Sequence, residues 1–234
     1  LFCDEGIFST TGSITPVNSP TGSLQQMVDW IGQATTSIHL HVYQFSSPEL
    51  FVAIQSAVNR GVECTVLLEG GILGDASDDA NQRGWADELA NAGCEVLWMI
   101  EPSGTDAPMA PYRYIHSKVA VADGNSVWIG SGNWKRSTFP LDGDQGNRDS
   151  GIIIDSQDIA DLVMTRMSWD ENESHRHIIN HADATSEMGR PTGWTPNEAS
   201  TDFGPAQTPP PTFEGAMNGR LLTCPDDCIQ GLVW

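Results

Sequence analysis

The stretch Tyr112-Arg-Tyr-Ile-His116-Ser-Lys118-Val-Ala-Val-Ala-Asp123-Gly-Asn-Ser-Val-Trp-Ile-Gly130-Ser131-Gly-Asn133-Trp134 decides how the rest of the chain is read. It holds two short apolar runs, residues 118–122 and 126–130, joined by Asp123-Gly124-Asn125. An Asp-Gly pair between hydrophobic runs is a hairpin signal, because both central residues of the favoured turn need positive φ. Side chains along a strand alternate between faces, so His116 and Lys118, two residues apart, point the same way. Ser131 and Asn133 repeat that spacing at the end of the partner strand. An imidazole, an ammonium, a hydroxyl and a carboxamide therefore converge on one sheet edge. That set suits a phosphate: the ammonium and the neutral donors bind non-bridging oxygens, and the imidazole attacks phosphorus. The neighbouring Val119, Val121, Val127 and Ile129 are apolar, so the polar positions stand against a buried pattern.

Working outward, strands and helices alternate. Residues 23–34 read as a helix, with Leu24, Met27, Val28 and Ile31 on one face and Ser23 available as a cap. Residues 37–45 read as a strand, in which Ile38, Leu40 and Val42 alternate with His39, His41 and Tyr43. Pro48 opens a second helix to residue 60. Residues 63–69 are an apolar strand, 75–79 an acidic loop, 85–92 a helix, 94–100 a strand, 101–111 a loop, 150–155 a strand and 157–170 a helix. This alternation predicts an α/β fold, an α/β/α sandwich with a mixed, largely parallel central sheet. From residue 171 the composition changes, and half of the 14 prolines lie at or after Pro191. The expected organisation is an N-terminal arm (1–22), a catalytic domain (23–180) and a Pro/Gly-rich linker or wrapping arm (181–222), with residues 182–220 carrying little helix or strand. Residues 223–234 follow, of which 225–234 align without gaps on 20–29 and suggest the start of a second repeat.

The motif His116-x-Lys118-x4-Asp123, followed by Gly130-Ser131-x-Asn133, resembles the signature of the phospholipase D superfamily. Ser37-Ile-His-Leu-His-Val-Tyr-Gln-Phe45 with Pro48 and Asn59-Arg-Gly-Val62 is similar to that family's first strand and helix. Asn147-Arg-Asp149-Ser-Gly-Ile-Ile-Ile154 is similar to its strand after the motif, so the resemblance spans about residues 20–170. It implies a phosphodiesterase whose active site is made by two such motifs, from two halves of one chain or from a homodimer. His116 would form a phosphohistidine, and Lys118, Ser131 and Asn133 would hold the phosphate. Asp123 would support the motif's own architecture. Asp149 stands where the family commonly has a Glu that orients the histidine, and it is shorter by one methylene. The resemblance implies no metal and no other cofactor.

Charge bears on the substrate. The 234 residues carry 31 acidic and 11 Lys or Arg side chains, for a net charge of −20 and a pI near 4.3. That excludes a basic nucleic-acid coat, and no apolar run approaches the ~18 residues of a membrane span. Within residues 113–148, Arg113, Lys118, Lys135, Arg136 and Arg148 outnumber Asp123, Asp142 and Asp144, which predicts a locally positive cleft. A phospholipid is the preferred phosphodiester, because the cationic track a polynucleotide needs is missing. The alternatives are a nuclease of the same superfamily and a non-catalytic half used for binding. The expected partner is a second motif-bearing half in the same chain or in a homodimer.

The remaining candidates read as structural. Cys64 and Cys94 each open a strand and are expected as small buried thiols. Cys3, Cys224 and Cys228 leave an odd count, and their spacing makes a weak metal signal. His175, His177 and His181 read as a solvated segment after a helix, and His39 and His41 as packed or supporting groups. Trp128, Trp134 and Phe139 read equally as core or as the lining of an apolar channel. The first residue is Leu1, which reads as a processed form or an excised fragment; no signal peptide is visible in the sequence, and an extracellular or cell-surface location is expected.

Overall fold

A computed structural model describes residues 7–74, 76–100, 114–175, 177–184, 188–204, 208 and 210–221. In chain order its elements are β1 (Ile7–Asn18), α1 (Ser23–Gln33), β2 (Ser37–Val42), α2 (Pro48–Asn59), β3 (Glu63–Glu69), α3 (Ala76–Ala92), β4 (Glu95–Met99), β5 (Lys118–Ala122), β6 (Ser126–Gly130), β7 (Ser150–Asp155), α4 (Gln157–Asp170), β8 (Ile178–Asn180) and β9 (Phe213–Arg220). The strands form one sheet in the order β8-β4-β3-β2-β5-β6-β7-β1-β9.

Strand direction follows from what lies between the strands. β2, β3 and β4 are separated by α2 and α3, and they pair in parallel. β5, β6 and β7 follow one another without a helix, so they pair antiparallel, and β5 docks antiparallel on β2. The sheet is mixed and flanked by helices as expected. It is parallel only from β2 to β4, and the expectation of a largely parallel sheet is corrected accordingly.

Alternation sorts the strand residues into two layers. Ala120, Ala122, Trp128 and Ile153 join the buried cluster built with Leu24, Met27 and Ile31 of α1, Leu50 and Ile54 of α2 and Trp85 and Leu89 of α3. Val121, Val127 and Ile154 face the other way, onto Ile159, Ala160, Val163 and Met167 of α4. Helices thus cover both faces.

Local chemistry sets several boundaries. The β5–β6 turn has positive φ at both central residues, Asp123 (53°) and Gly124 (62°), as the Asp-Gly signal requires. Asp123 also accepts the backbone amides of Thr35, Thr36 and Ser37 at 2.7–3.1 Å and both threonine hydroxyls at 2.9 Å. The hairpin is thereby tied to the start of β2. Ser47 caps α2 by accepting from the Leu50 amide, ahead of Pro48 in the first turn. Ser23 does not cap α1: Gly22 takes that position in a left-handed conformation, with no side-chain cap.

Other expectations are corrected too. Residues 76–79 of the stretch read as an acidic loop are the first turn of α3, where Asp78 and Asp79 sit at the positive end of the helix dipole. The N-terminal arm contributes β1, paired with β7 and β9. The tail, expected to carry little regular structure, carries β9. β8 pairs with β4, and His177 beside it is buried, so that segment is not simply solvated. Cys64 and Cys94 are free and buried. The 101–111 loop, Arg113, Cys3, Cys224, Cys228 and the repeat-like residues 223–234 lie outside the described residues.

Candidate active site

Strand direction gathers the motif residues. Because β5 runs against β2, β6 against β5 and β7 against β6, one edge of the sheet gathers the five strand ends that carry the site. They are the C-terminal ends of β2, β3 and β6 and the N-terminal ends of β5 and β7. His116 and Lys118 enter β5 there, Ser131 and Asn133 leave β6 there, and Asp149 precedes β7. The segment after β2 runs alongside the segment after β6, through a Phe45–Trp134 bridge and a Trp134 amide donating to the Gln44 carbonyl at 3.0 Å.

His116 is exposed and Lys118 is buried. The Lys118 ammonium donates to the His116 carbonyl at 2.7 Å and lies 3.2 Å from His116 Nδ1. Tyr43 backs both groups: its ring centroid is 4.9 Å from the imidazole and 5.5 Å from Lys118 Nζ, within cation–π range. Burial lowers the Lys118 pKa to about 8, against an opposing pull from the Asp149 charge. Burial and then the Lys118 charge lower the His116 pKa, so the ring is neutral at pH 7.

The other motif residues form an adjoining group. Ser131 Oγ donates to Asp149 Oδ1 at 2.9 Å and accepts from the Ser150 amide at 3.1 Å. Thr138 Oγ1 is 3.4 Å from Asp149 Oδ2. Asn133 Nδ2 donates to Gln44 Oε1 at 3.2 Å, and the same oxygen accepts from Lys135 at 3.1 Å. Asp149 makes no hydrogen bond to His116 among the described residues. Its carboxylate orients Ser131 and acts on Lys118 by charge, not on the ring by contact. Asp123 lies at the opposite end of β5, where six hydrogen bonds hold its pKa near 2, so it touches no group at this edge.

The structure also revises the surroundings. The positive cleft is smaller than composition implied. Arg136 is paired with buried Glu49 through its Nε at 3.1 Å, and Lys135 with Asp78 at 3.3 Å. Trp128, Trp134 and Phe139 are fully buried, with ring centroids 5.6–6.5 Å apart, so they are core and line no channel. His39 Nδ1 and His41 Nε2 share the Glu171 carboxylate at the end of α4, at 3.1 and 3.0 Å, as supporting groups. His181 accepts from Trp98 Nε1 at 2.9 Å. No cluster of His, Cys, Asp or Glu able to hold a metal is present among the described residues.

Sequence reasoning missed Tyr43, Gln44 and Glu69. Glu69 was the most detectable: an acid closing the apolar run Cys64-Thr-Val-Leu-Leu-Glu69 has to find buried donors. β2 ends at Val42, short of the 45 read from alternation, so Tyr43 and Gln44 lie past the strand and the alternation does not place them.

The family of cardiolipin synthase, PLD-like domains matches residues 27–171. A phospholipase D of Rickettsia bellii (strain RML369-C) is 29% identical over 145 residues, covering 62% of this chain and 62% of that protein. A polyphosphate kinase of Staphylococcus epidermidis (strain ATCC 12228 / FDA PCI 1200) is 29% identical over 149 residues, 61% of this chain but 19% of its own length. The chain thus spans less than two thirds of these relatives. Among solved structures, Nuc of Salmonella typhimurium, a phospholipase D family member, superposes with a TM-score of 0.56 at 19% identity, covering 73% of this chain and 98% of that one. With the motif at one sheet edge and the family match over most of the sheet, the chain belongs to the phospholipase D superfamily.

Proposed function

We propose that the domain is a phosphodiesterase of the phospholipase D type, which hydrolyses or transfers a phosphodiester through a phosphohistidine on His116. The observation that carries this reading is the His116 imidazole, open to solvent, with its Nδ1 3.2 Å from the buried Lys118 ammonium. Lys118 donates to Nδ1, so a neutral ring carries its proton on Nε2. When a phosphoryl oxygen takes over the ammonium's hydrogen bond, the ring lone pair is freed for attack while the developing charge meets Lys118. Asn133 supplies a further donor once its amide exchanges Gln44 for a phosphate oxygen, and Ser131 supplies another once its hydroxyl turns from Asp149 to the phosphate. A second histidine protonates the leaving oxygen, and water or an alcohol then cleaves the phosphohistidine.

A phospholipid is the substrate class the surface supports best. Lys135 and Arg136 are paired with carboxylates, the chain carries −20, and a polynucleotide track needs several free cations. Leu73, on the loop joined to Tyr43, is 72% exposed and offers an apolar rim. The names of the matched family and of the rickettsial relative agree with lipid chemistry. Hydrolysis of bis(p-nitrophenyl) phosphate tests the reaction. A 31P signal for an acid-labile, base-stable phosphohistidine, absent in His116→Asn, tests the intermediate. Vesicles of anionic phospholipid against single-stranded DNA test the substrate. Faster cleavage of DNA overturns the lipid assignment, and turnover in His116→Asn overturns the mechanism.

A further inference from the structure

Glu69 is a buried carboxylate, 3% exposed, that the reaction above does not use. It closes β3, which is separated from β5 by β2. β2 ends at Val42, and past that point the Glu69 side chain reaches across. Oε2 accepts the Ile115 amide at 2.9 Å, and Ile115 is the residue before His116. Oε1 accepts the Gly71 amide at 2.8 Å. Gly71 starts the turn to Leu73, whose amide donates to the Tyr43 hydroxyl, and the Tyr43 ring packs on His116 and Lys118. One carboxylate therefore fixes the chain leading to the imidazole and the loop that steadies the ring behind it. Gln82, also buried, braces the same corner. It donates to the carbonyls of Glu69 (2.7 Å) and Tyr43 (3.2 Å) and accepts from the Phe45 amide (3.1 Å). Burial raises the Glu69 pKa, so the site is costly to keep ionised. An apolar residue would fill the space more cheaply but could not hold two amides.

We propose that Glu69 is a positioning residue for His116: by holding the Ile115 amide and the Gly71 turn, its carboxylate sets the place of the imidazole against Lys118. This rests on the assignment of His116 above. Glu69→Gln keeps the shape but turns one of the two acceptors into a donor, releasing one tether. A misplacement of about 1 Å costs on the order of 10²-fold in rate, so kcat on bis(p-nitrophenyl) phosphate is expected to fall ~10–100-fold with little change in KM. In a histidine-selective NMR titration, the His116 midpoint is expected to move up toward the ordinary 6.5 as the ring leaves the ammonium. Glu49→Gln is the control: Glu49 is equally buried but holds Arg136 and the Ser200 amide, so it is expected to lower stability and leave the His116 titration unchanged. If Glu69→Gln does not fold, Glu69→Asp, which withdraws the oxygens by one methylene, is measured in its place. An unmoved His116 midpoint and wild-type kcat in the Glu69 variant overturn the proposal. The titration needs no turnover: if the wild type is inactive, the functional reading falls by itself and the positioning role is still decided.

Discussion

Lys118 and His116 share a constraint that neither has alone. Attack needs the imidazole neutral, and charge stabilisation needs the amine protonated. The fold lowers both pKa values, that of His116 below 6.5 and that of Lys118 to about 8. kcat/KM on a small phosphodiester should therefore rise as pH passes upward through the value of the attacking His116 and fall as the histidine that protonates the leaving oxygen loses its proton, with Lys118 setting an upper bound of about pH 8, giving a bell measured by initial rates. Lys118→Ala removes the ammonium that meets the transition-state charge and should lower kcat/KM by at least ~10²-fold. It should also bring the His116 midpoint up, because one cause of its depression is gone. At this scale the sequence was legible where the spacing was short. A single residue between His116 and Lys118, and one between Ser131 and Asn133, suffice to place each pair on one face. Tyr43, Gln44 and Glu69 come from other strand ends, brought in by pairings 40 or more residues apart, and of the three only Glu69, an acid closing an apolar run, carries a local signal. Asp149 was placed at the right edge but with the wrong contact, because one methylene decides whether a carboxylate reaches a ring or stops at a serine.

Two carboxylates at element ends hold the layers together, and each predicts a pH window. Asp123 has its pKa lowered to about 2, so its stabilising contribution is present above its ordinary 3.8 and is lost as pH falls toward 2. Asp123→Ala leaves the first amides of β2 without their acceptor and should lower stability by about 2 kcal/mol near neutral pH, with a smaller effect near pH 2. Chemical denaturation at several pH values checks this. Glu171 joins α4 to β2 through His39 and His41. Its pKa is lowered to about 2, and that of His39 is raised. The Glu171 contribution is complete above 4.5, and the His39 contribution is complete below 6.5 and lost as pH rises through the raised value. The destabilisation caused by Glu171→Gln should therefore peak between about pH 4.5 and 6.5. Elements with strong periodicity, such as α2, β3 and α4, were readable because burial imposes the pattern. β1 and β9 were not. They are polar, half-exposed strands (Ser9-Thr-Thr-Gly-Ser13 and Glu214-Gly-Ala-Met-Asn-Gly219) whose partner lies about 200 residues away, so packing and pairing make the strand and propensity does not.

The whole molecule poses a question of completeness. A two-step phosphoryl transfer uses one histidine to attack and another to protonate the leaving group, and the chain has six histidines. His116 is the histidine that contacts Lys118, and His177, just ahead of β8, lies at the same end of the sheet but beyond β4. His39 and His41 are held by Glu171 on the α4 side, His181 lies between Trp98 and Asp87, and His175 stacks between Trp169 and His177. On the proposed mechanism the second histidine would come from another motif-bearing unit, and a second copy of this chain across a two-fold would be the simplest source. The consequence is quantitative. If wild type and His116→Asn are mixed in equal amounts and allowed to exchange, roughly a quarter of the pairs carry two histidines, so activity should drop to roughly a quarter of that of the same total of wild type. A chain that acts alone would retain about half, because each wild-type molecule would keep its own turnover. Dilution gives the companion readout: activity per molecule should fall at concentrations where ultracentrifugation shows the pair dissociating. One-half activity in the mixture, with a rate per molecule independent of concentration, would refute the shared site and leave His41, the histidine nearest the Lys118 end of β2, as the first candidate for the acid.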